Sequence, residues 1–533
     1  MRRHGDQAYD LGAVKRAARI VSAVYGRRRL WSLTAGVVYS LAFFDGRLFV
    51  FGFLGLFLFY ARLFVRTKDG VRPEKPFGSA FFFGAGFFVP LYSWLTALYP
   101  FDTFGFTMAQ GIFVVAAGIL GISALHSLML ALSYSLLRFA PRNTLLLPVL
   151  AASCHMAAEW LMAQGSLAFP WGIAAVGQYR FLPLLQNVSL FGSEFITLVM
   201  CVFASSCALL LHEKSRKLII TAAVSLALPL FVGTTLMLIP VQTENAVRVA
   251  AVQGNELFDE KWDLQKHLQY QKYIRLTEQA ASEGAELIVL PETAFPYNYT
   301  STINKKITAV TAEYGCTVVV GAIEKKAGKV YNALFAVYPD GTRSESYYKR
   351  RIVPFGEYLP YRDVLMKLLP FLESMNLSSL DLTPGESDVV LEYPGSSGIG
   401  CFICFDSAFP SLAPDDAGIL CVSTNDSWFK DTAAVYQHMA HSVLRAVENG
   451  KWVVRSANTG VSCFISPKGN ISQATEPLTE ALIYETVYTV SSRTLYSYTG
   501  DIIMFVPLGF LGYILIRAAA EKIKNKKKVS ASS

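Results

Sequence analysis

Eight long apolar runs decide most of what this chain can become. Seven lie before residue 245, at about 30–44, 48–65, 77–99, 108–137, 144–163, 189–211 and 218–240, and the eighth covers about 502–516. Most approach the roughly 20 residues a helix needs to cross a bilayer. In hydrocarbon an unpaired backbone N–H or C=O is too costly to leave, so runs of this kind commit to helices. The composition agrees, since 53% hydrophobic and only 17% charged residues is too apolar for an ordinary water-soluble protein. The basic N-terminal tail enters the first run without a small-residue cleavage site, so that run is expected to stay as an anchor.

Charge says which way up the runs stand. The N-terminal tail carries Arg2, Arg3, Lys15, Arg16, Arg19 and the Arg27-Arg28-Arg29 run, and every second loop after it is basic. These loops hold Arg62, Arg66, Lys68, Arg72 and Lys75, then Arg138 and Arg142, then Lys214, Arg216 and Lys217. The alternate loops hold little beyond Arg47 and Arg180, and the tail from Lys522 to Lys528 is basic again. Basic flanks stay in the cytoplasm, so both termini are expected inside and residues 246–495 outside. The division is then a membrane part (1–245, seven helices), an extracytoplasmic part (246–495), and a last span with a basic tail (496–533). The net charge of +8 sits in these flanks, which argues against a nucleic-acid surface. A transporter or receptor with an outer sensor domain is a rival reading, but the spans carry few of the charges that mark a substrate path.

One outer loop is unusual. Glu159-Trp160 and then Ala168-Phe169-Pro170-Trp171 lie between the fifth and sixth runs. An acid and tryptophans at a membrane boundary suit either an aromatic-belt anchor or a lipid-binding arm.

The outer part alternates strand and helix patterns. Strands are expected at 247–253 (VRVAAVQ), 285–291 (AELIVLP), 317–323 (TVVVGAI), 418–423 and 451–456, with helices at 264–282, 303–313 and 432–448. Hairpins are expected around Pro339-Asp340-Gly341 and Pro467-Lys468-Gly469. Many short buried strands with interleaved helices make a layered α/β domain.

Three polar residues end strands in this part: Glu292 after LIVLP, Lys349 after YY, and Cys404 after CFI. A carboxylate just past an apolar strand is partly desolvated and can serve as base toward a thiol. A lysine beside it favours the thiolate and can stabilise an oxyanion, and a cysteine can carry an acyl group as a thioester. Each has an ordinary reading too: helix-start acid, solvated strand-end charge, core thiol. The eight cysteines form no disulfide framework. Cys401-x-x-Cys404 with His438-x-x-His441 can be read as a zinc site, but the histidine gap is short. His438 is expected to pack or hydrogen-bond on its helix, and Cys316, Cys421 and Cys463 to be core.

The runs PETAFP at Glu292, YYKRRIVPFGEYLP at Lys349, ICFD at Cys404, NDSWF with YQH between Asn425 and His438, and RAVENGKWVVRSANTG from Arg445 occur in that order. This set resembles the carbon–nitrogen hydrolase (nitrilase) superfamily and, within it, the bacterial apolipoprotein N-acyltransferase family, whose eight-span frame it also matches. The resemblance implies a multi-span α-helical membrane domain plus an extracytoplasmic nitrilase-like αββα sandwich. It implies Glu292 as general base, Lys349 as oxyanion stabiliser and Cys404 as nucleophile, with Glu357 as supporting acid and Trp428 as an aromatic substrate contact. Phe405-Asp406 stands where the family usually has Tyr-Glu, so a phenol is lost and a carboxylate is shorter by a methylene. Lys430 and Ala168 replace usual glycines.

The implied reaction moves an acyl chain from a membrane phospholipid to Cys404. The thioester then passes it to the α-amine of a diacylglyceryl-modified cysteine on an apolipoprotein. The implied setting is a bacterial inner membrane with the catalytic domain on the periplasmic side, and the reaction needs no cofactor, metal or nucleic acid. A membrane-anchored amidase that releases the acyl group to water is the nearest rival, and products separate the two.

Overall fold

The structure is a computed structural model that describes residues 24–100, 107–141, 143–256, 266–295, 299–368 and 381–532. Arg2, Arg3, Lys15, Arg16, Arg19 and Arg142, used above for orientation, lie outside the described residues, as do residues 264–265 of the expected helix at 264–282.

The apolar runs are helices. They are α1 (Arg28–Ser40), α2 (Val50–Leu63), α3 (Pro76–Leu91), α4 (Met108–Tyr134), α5 (Leu147–Met162), α6 (Glu194–Leu210) and α7 (Arg216–Leu238). Among the described residues five stretches are long and apolar enough to cross a membrane: Pro76–Leu98, Met108–Phe139, Thr144–Met162, Arg216–Leu238 and Leu495–Lys524. The run expected at 189–211 is broken instead. Its first residues form the short helix Val188–Phe191, Gly192 turns the chain at φ +79°, and α6 starts only at Glu194. Lipid gives helices no apolar reason to associate, so close packing must hold them together. Glycine provides it between α1 and α3, where a Cβ on Gly36 would strike the Phe83 carbonyl and one on Gly86 the Leu33 carbonyl.

The α/β part begins with β1 (Ala246–Gln253), α8 (Lys266–Ser282), β2 (Leu287–Val289), α9 (Ser301–Tyr314), β3 (Thr317–Lys326), β4 (Lys329–Val337) and β5 (Tyr347–Tyr348). A second set follows: β6 (Val390–Leu391), β7 (Ile399–Ile403), β8 (Ile419–Thr424), α10 (Ala434–Asn449), β9 (Val453–Ala457), β10 (Cys463–Ile465) and β11 (Ile471–Ser472). The chain then returns as β12 (Ala481–Tyr488) and leaves through α11 (Phe505–Ser532). Two six-stranded sheets result, ordered β12-β1-β2-β3-β4-β5 and β11-β10-β9-β8-β7-β6. The central strands β1–β2–β3 and β7–β8–β9 run parallel. Parallel strands covered on both faces explain why these runs are apolar without alternation.

The sheets pack face to face, with Val249, Ala251, Val289 and Val319 against Cys401, Ile403, Cys421 and Val454. On the far side of the first sheet, Ala250, Val252, Ile288 and Val318 share a core with residues of α8 and α9. Phe402, Leu420, Val422 and Val453 of the second sheet face α10. Each such buried aliphatic chain contributes on the order of 1.5–3 kcal/mol. This is the expected αββα layering. Two pairings were not foreseen: β12 closes the first sheet antiparallel to β1, and β3–β4 is a hairpin through Ala327-Gly328, both at positive φ.

α10 ties the two parts of the protein together. Every residue from Ala434 to Asn449 except Tyr436 is buried, and its core is continuous with Trp171, Leu184 and Val188 of the membrane part.

Candidate active site

The C-terminal ends of β2 and β7 deliver the site. After β2, Leu290-Pro291 lead to Glu292, and a Cβ on Gly321 would meet the Pro291 carbonyl, so only glycine lets β3 pass this close. The Glu292 carboxylate is buried and well held: Oε1 accepts from Asn332 Nδ2 at 2.7 Å and Lys349 Nζ at 3.0 Å, and Oε2 accepts the Asn425 N–H at 2.8 Å. Lys349 extends β5, its N–H bonded to the Asn332 carbonyl, which aims the side chain inward. Its ammonium is fully buried and also donates to Glu357 Oε1 at 2.5 Å, while Glu357 Oε2 accepts the Val353 N–H at 2.9 Å. Burial works against the lysine's charge, yet the Glu292 and Glu357 carboxylates hold its pKa well above the ordinary value. Burial also raises the Glu357 carboxyl, against the pull of Lys349.

Cys404 is the first residue past β7 and turns at φ +52°, a left-handed conformation that costs a non-glycine residue about 1 kcal/mol or more. The thiol is half-exposed, and Glu292, Lys349 and Glu357 are near enough for their charges to act on it. Burial and then the Glu292 carboxylate push its pKa well above the usual thiol value, and Lys349 pulls the other way but is outweighed. Lys349 thus favours the thiolate, as expected, but burial and Glu292 outweigh it. Lys349 is held by the two carboxylates, and the raised thiol pKa gives a neighbouring base a part to play at Cys404.

The turn after Cys404 is braced from below. Asp406 is fully buried and accepts from the Arg351 N–H at 2.7 Å, the Ile403 N–H at 3.2 Å and the Tyr347 hydroxyl at 2.9 Å. Burial pushes its carboxyl up to about 6 even with Lys349 and these donors opposing. Phe405 is buried and stacks on Phe169 of the membrane part, with ring centroids 5.2 Å apart. Trp428 is half-buried on the one-turn helix Ser427–Phe429, at the edge of the core shared with α10.

Sequence reasoning missed the second support. His438 does not bond along its own helix: its Nε2 faces the Cys404 carbonyl at 3.0 Å and its Nδ1 faces Asp426 Oδ1 at 2.8 Å. Arg455 donates to Asp426 Oδ2 at 2.8 Å. Burial would raise the Asp426 carboxyl, but His438 and Arg455 hold it down at about 2. Asn332 was missed as well, because nothing in VYNALF separates an amide aimed at a carboxylate from an ordinary strand polar residue. The same geometry argues against the alternative zinc reading. Cys401 lies in the core between the sheets, and His441 packs against Trp171 at 5.4 Å. Among the described residues Cys404, Asp426 and His438 do bring ligand atoms within 4.8 Å of one another. The Arg455 guanidinium already occupies Asp426, a donor set that does not suit a cation.

At the end of α5 and in the loop that follows it, Glu159 and Trp171 are buried, whereas Trp160 is exposed. Glu159 is buried and accepts from the Ala174 N–H at 2.7 Å and the Thr197 hydroxyl at 2.5 Å, bracing the loop from inside. Trp171 is 2% exposed and donates to Gln437 on α10 at 2.7 Å, and Gln437 in turn donates to the Phe43 carbonyl at 3.1 Å. The loop is a joint between the membrane helices and the second sheet.

Comparison with known proteins matches both parts of the chain. The carbon–nitrogen hydrolase profile fits residues 248–494, and the profile described as the apolipoprotein N-acyltransferase N-terminal domain fits residues 35–206. A Rhodopseudomonas palustris protein named apolipoprotein N-acyltransferase is 29% identical, over 86% of this chain and 89% of its own. One of the same name from Bradyrhizobium diazoefficiens is 27% identical, over 93% and 96%. A solved structure of a CN-hydrolase superfamily protein from Xanthomonas campestris is 19% identical, covering 46% of this chain and 91% of that one with a TM-score of 0.34.

Proposed function

The chain belongs to the carbon–nitrogen hydrolase superfamily and, within it, to the bacterial apolipoprotein N-acyltransferases, and from that premise we propose how its residues carry the reaction. Glu292 takes the Cys404 proton as Sγ attacks the carbonyl carbon of a phospholipid ester. Lys349 faces the oxyanion that forms. The ester C–O bond breaks, Glu292 returns the proton to the leaving glycerol oxygen, and a lysophospholipid departs. The α-amine of a diacylglyceryl-cysteine then attacks the thioester, Glu292 accepts an amine proton, and the thiol is restored as the amide forms. Glu357 holds Lys349, Asp406 and Phe405 hold the turn, and Trp428 contacts substrate. The observation that carries this reading is the half-buried Cys404 beside buried Glu292 and Lys349 and half-buried Glu357, on a turn that stacks against the membrane part through Phe405 and Phe169.

Purified protein given acyl-labelled phospholipid alone is expected to carry label on the peptide containing Cys404 and to release lysophospholipid before any acceptor is added, the ping-pong order of a covalent intermediate. Lysolipid release that requires the acceptor would sink the two-step scheme, and rapid free fatty acid would make the protein an amidase-like hydrolase.

The setting is part of the proposal. The five long helices with α1, α2 and α6 supply eight candidate crossings. With basic loops inside, residues 1–245 and 496–533 form the membrane part, and residues 246–495 form the catalytic domain on the periplasmic side. A tag inserted near Gly341, at a surface turn, is expected to be reached by an impermeant reagent from outside, and tags at either terminus are not. Protection of the Gly341 tag would overturn the orientation.

A further inference from the structure

Beside the Cys404 turn lies a cavity of about 440 Å³ walled by Arg350, Arg351, Arg362, Tyr358, Phe405 and Phe409. Ser166 and Ala168, from the outer loop of the membrane part, close its far side. Among the described residues of the wall, Asp381 is the sole carboxylate beside the three arginines. Two of the guanidiniums are already matched, Arg350 by Asp388 and Arg362 by Asp381 at 2.6 Å. Arg351 is different. No carboxylate among the described residues lies within ion-pair distance of it, and its guanidinium lies over the Phe409 ring, 4.6 Å from the centroid. Stacking engages the face of a guanidinium and leaves its N–H edge for an oxyanion. The backbone of Arg351 is tied to Asp406 at 2.7 Å, so the side chain is anchored to the turn that carries the nucleophile.

We propose that this cavity is the phosphodiester subsite for the acyl donor, with Arg351 as its anion-binding group. The assignment rests on the acyl-enzyme reading above. In a glycerophospholipid the phosphodiester and the acyl esters share one glycerol, so a phosphate held here brings an ester toward the neighbouring Cys404. Apolar Phe405 and Phe409 beside the arginines suit the junction between a charged headgroup and its glycerol. The acceptor's diacylglyceryl group carries no phosphate. The cavity therefore selects the donor for the first half-reaction and leaves the second to other contacts.

The test uses the full chain in nonionic detergent micelles with two acyl-labelled donors of identical chains, phosphatidylethanolamine and diacylglycerol. Label on the Cys404 peptide is expected to form faster from phosphatidylethanolamine. Arg351→Gln is expected to cut the ratio of the two rates by about tenfold or more, the usual scale for losing a charge-assisted contact. Arg351→Lys, which keeps the charge but not the fork, should recover part of it. A folded Arg351→Gln protein that loses equally on both donors overturns the assignment, as does a wild type indifferent to the phosphate. Inorganic phosphate that blocks labelling from diacylglycerol as well would mark a free-phosphate site and overturn the headgroup assignment. Label from neither donor in the wild type defeats the acyl-enzyme reading itself, and the subsite falls with it.

Discussion

Cys404→Ala is expected to give a folded protein that never acquires acyl label and whose transfer activity falls to background. The reason is positional as much as chemical. Cys401, Cys421 and Cys463 are also in the sandwich, but each is buried in a core, where burial pushes the thiol up and nothing can reach it. Cys404 alone of these is half-exposed and adjoins Glu292. The turn at φ +52° should relax no further in the variant, because alanine meets the same left-handed backbone restriction. Stability should therefore change by less than about 1–2 kcal/mol, and loss of activity will not be confused with loss of fold. Cys401→Ala is the control. It removes a sulfur from the core between the sheets, so it should lower the unfolding temperature slightly and leave most of the labelling intact. Equal loss of labelling from both folded variants would point instead to a paired-cysteine site.

Lys349→Met is expected to fail twice, in rate and in stability. The ammonium pairs with both Glu292 and Glu357, which it meets at 3.0 and 2.5 Å. Removing one member of a buried ion cluster leaves uncompensated charge, which typically costs about 3–5 kcal/mol. The rate of thioester formation should fall roughly a hundredfold or more, the usual scale for losing an oxyanion donor. The pH dependence separates the two effects. Burial already raises the Glu357 carboxyl, and without Lys349 only the Val353 N–H opposes that rise. A carboxyl raised above its unfolded value favours the fold at low pH and loses that contribution as pH climbs through the folded value. The stability gap between variant and wild type should therefore be smaller at pH 5 than at pH 8, measured as unfolding temperature. Adding Glu292→Gln should restore part of the stability and none of the rate. A Lys349→Met protein with wild-type melting at both pH values would show that the cluster is not held by the lysine, and one with wild-type thioester formation would remove Lys349 from the chemistry.

Much of this molecule was legible in order along the chain. Apolar runs near bilayer length can satisfy their backbones only as helices, so the membrane part follows from local sequence. The break at Gly192 does not, because nothing in the run itself says where a helix must yield to its neighbours. The unbroken apolar strands of the insert announced a sheet covered on both faces, and the parallel centre of each sheet bears that out. β12 was missed because ALIYETVY is mostly half-buried on both faces, and only pairing with a strand more than two hundred residues earlier makes it part of the sheet.

The site divides along the same line. Glu292, Lys349 and Cys404 were visible because each is a reactive side chain directly after a short apolar strand, and strand ends are where an α/β layer meets its crevice. The ionisation of that group was not visible. Sequence put a lysine near a thiol, but whether the lysine acts on sulfur or is held by two carboxylates depends on where Glu292 and Glu357 sit in three dimensions. His438, Asp426 and Arg455 converge on the Cys404 turn from a helix, a loop and a strand that have no local reason to meet. Trp171 reads as a membrane-boundary aromatic until α10 is packed against it. Local chemistry and periodicity therefore determined the helices, the strands and the reactive residue types. The charge state of the thiol, its bracing and its seat against the membrane helices were decided by distances between segments far apart in the chain, which only the folded core brings together.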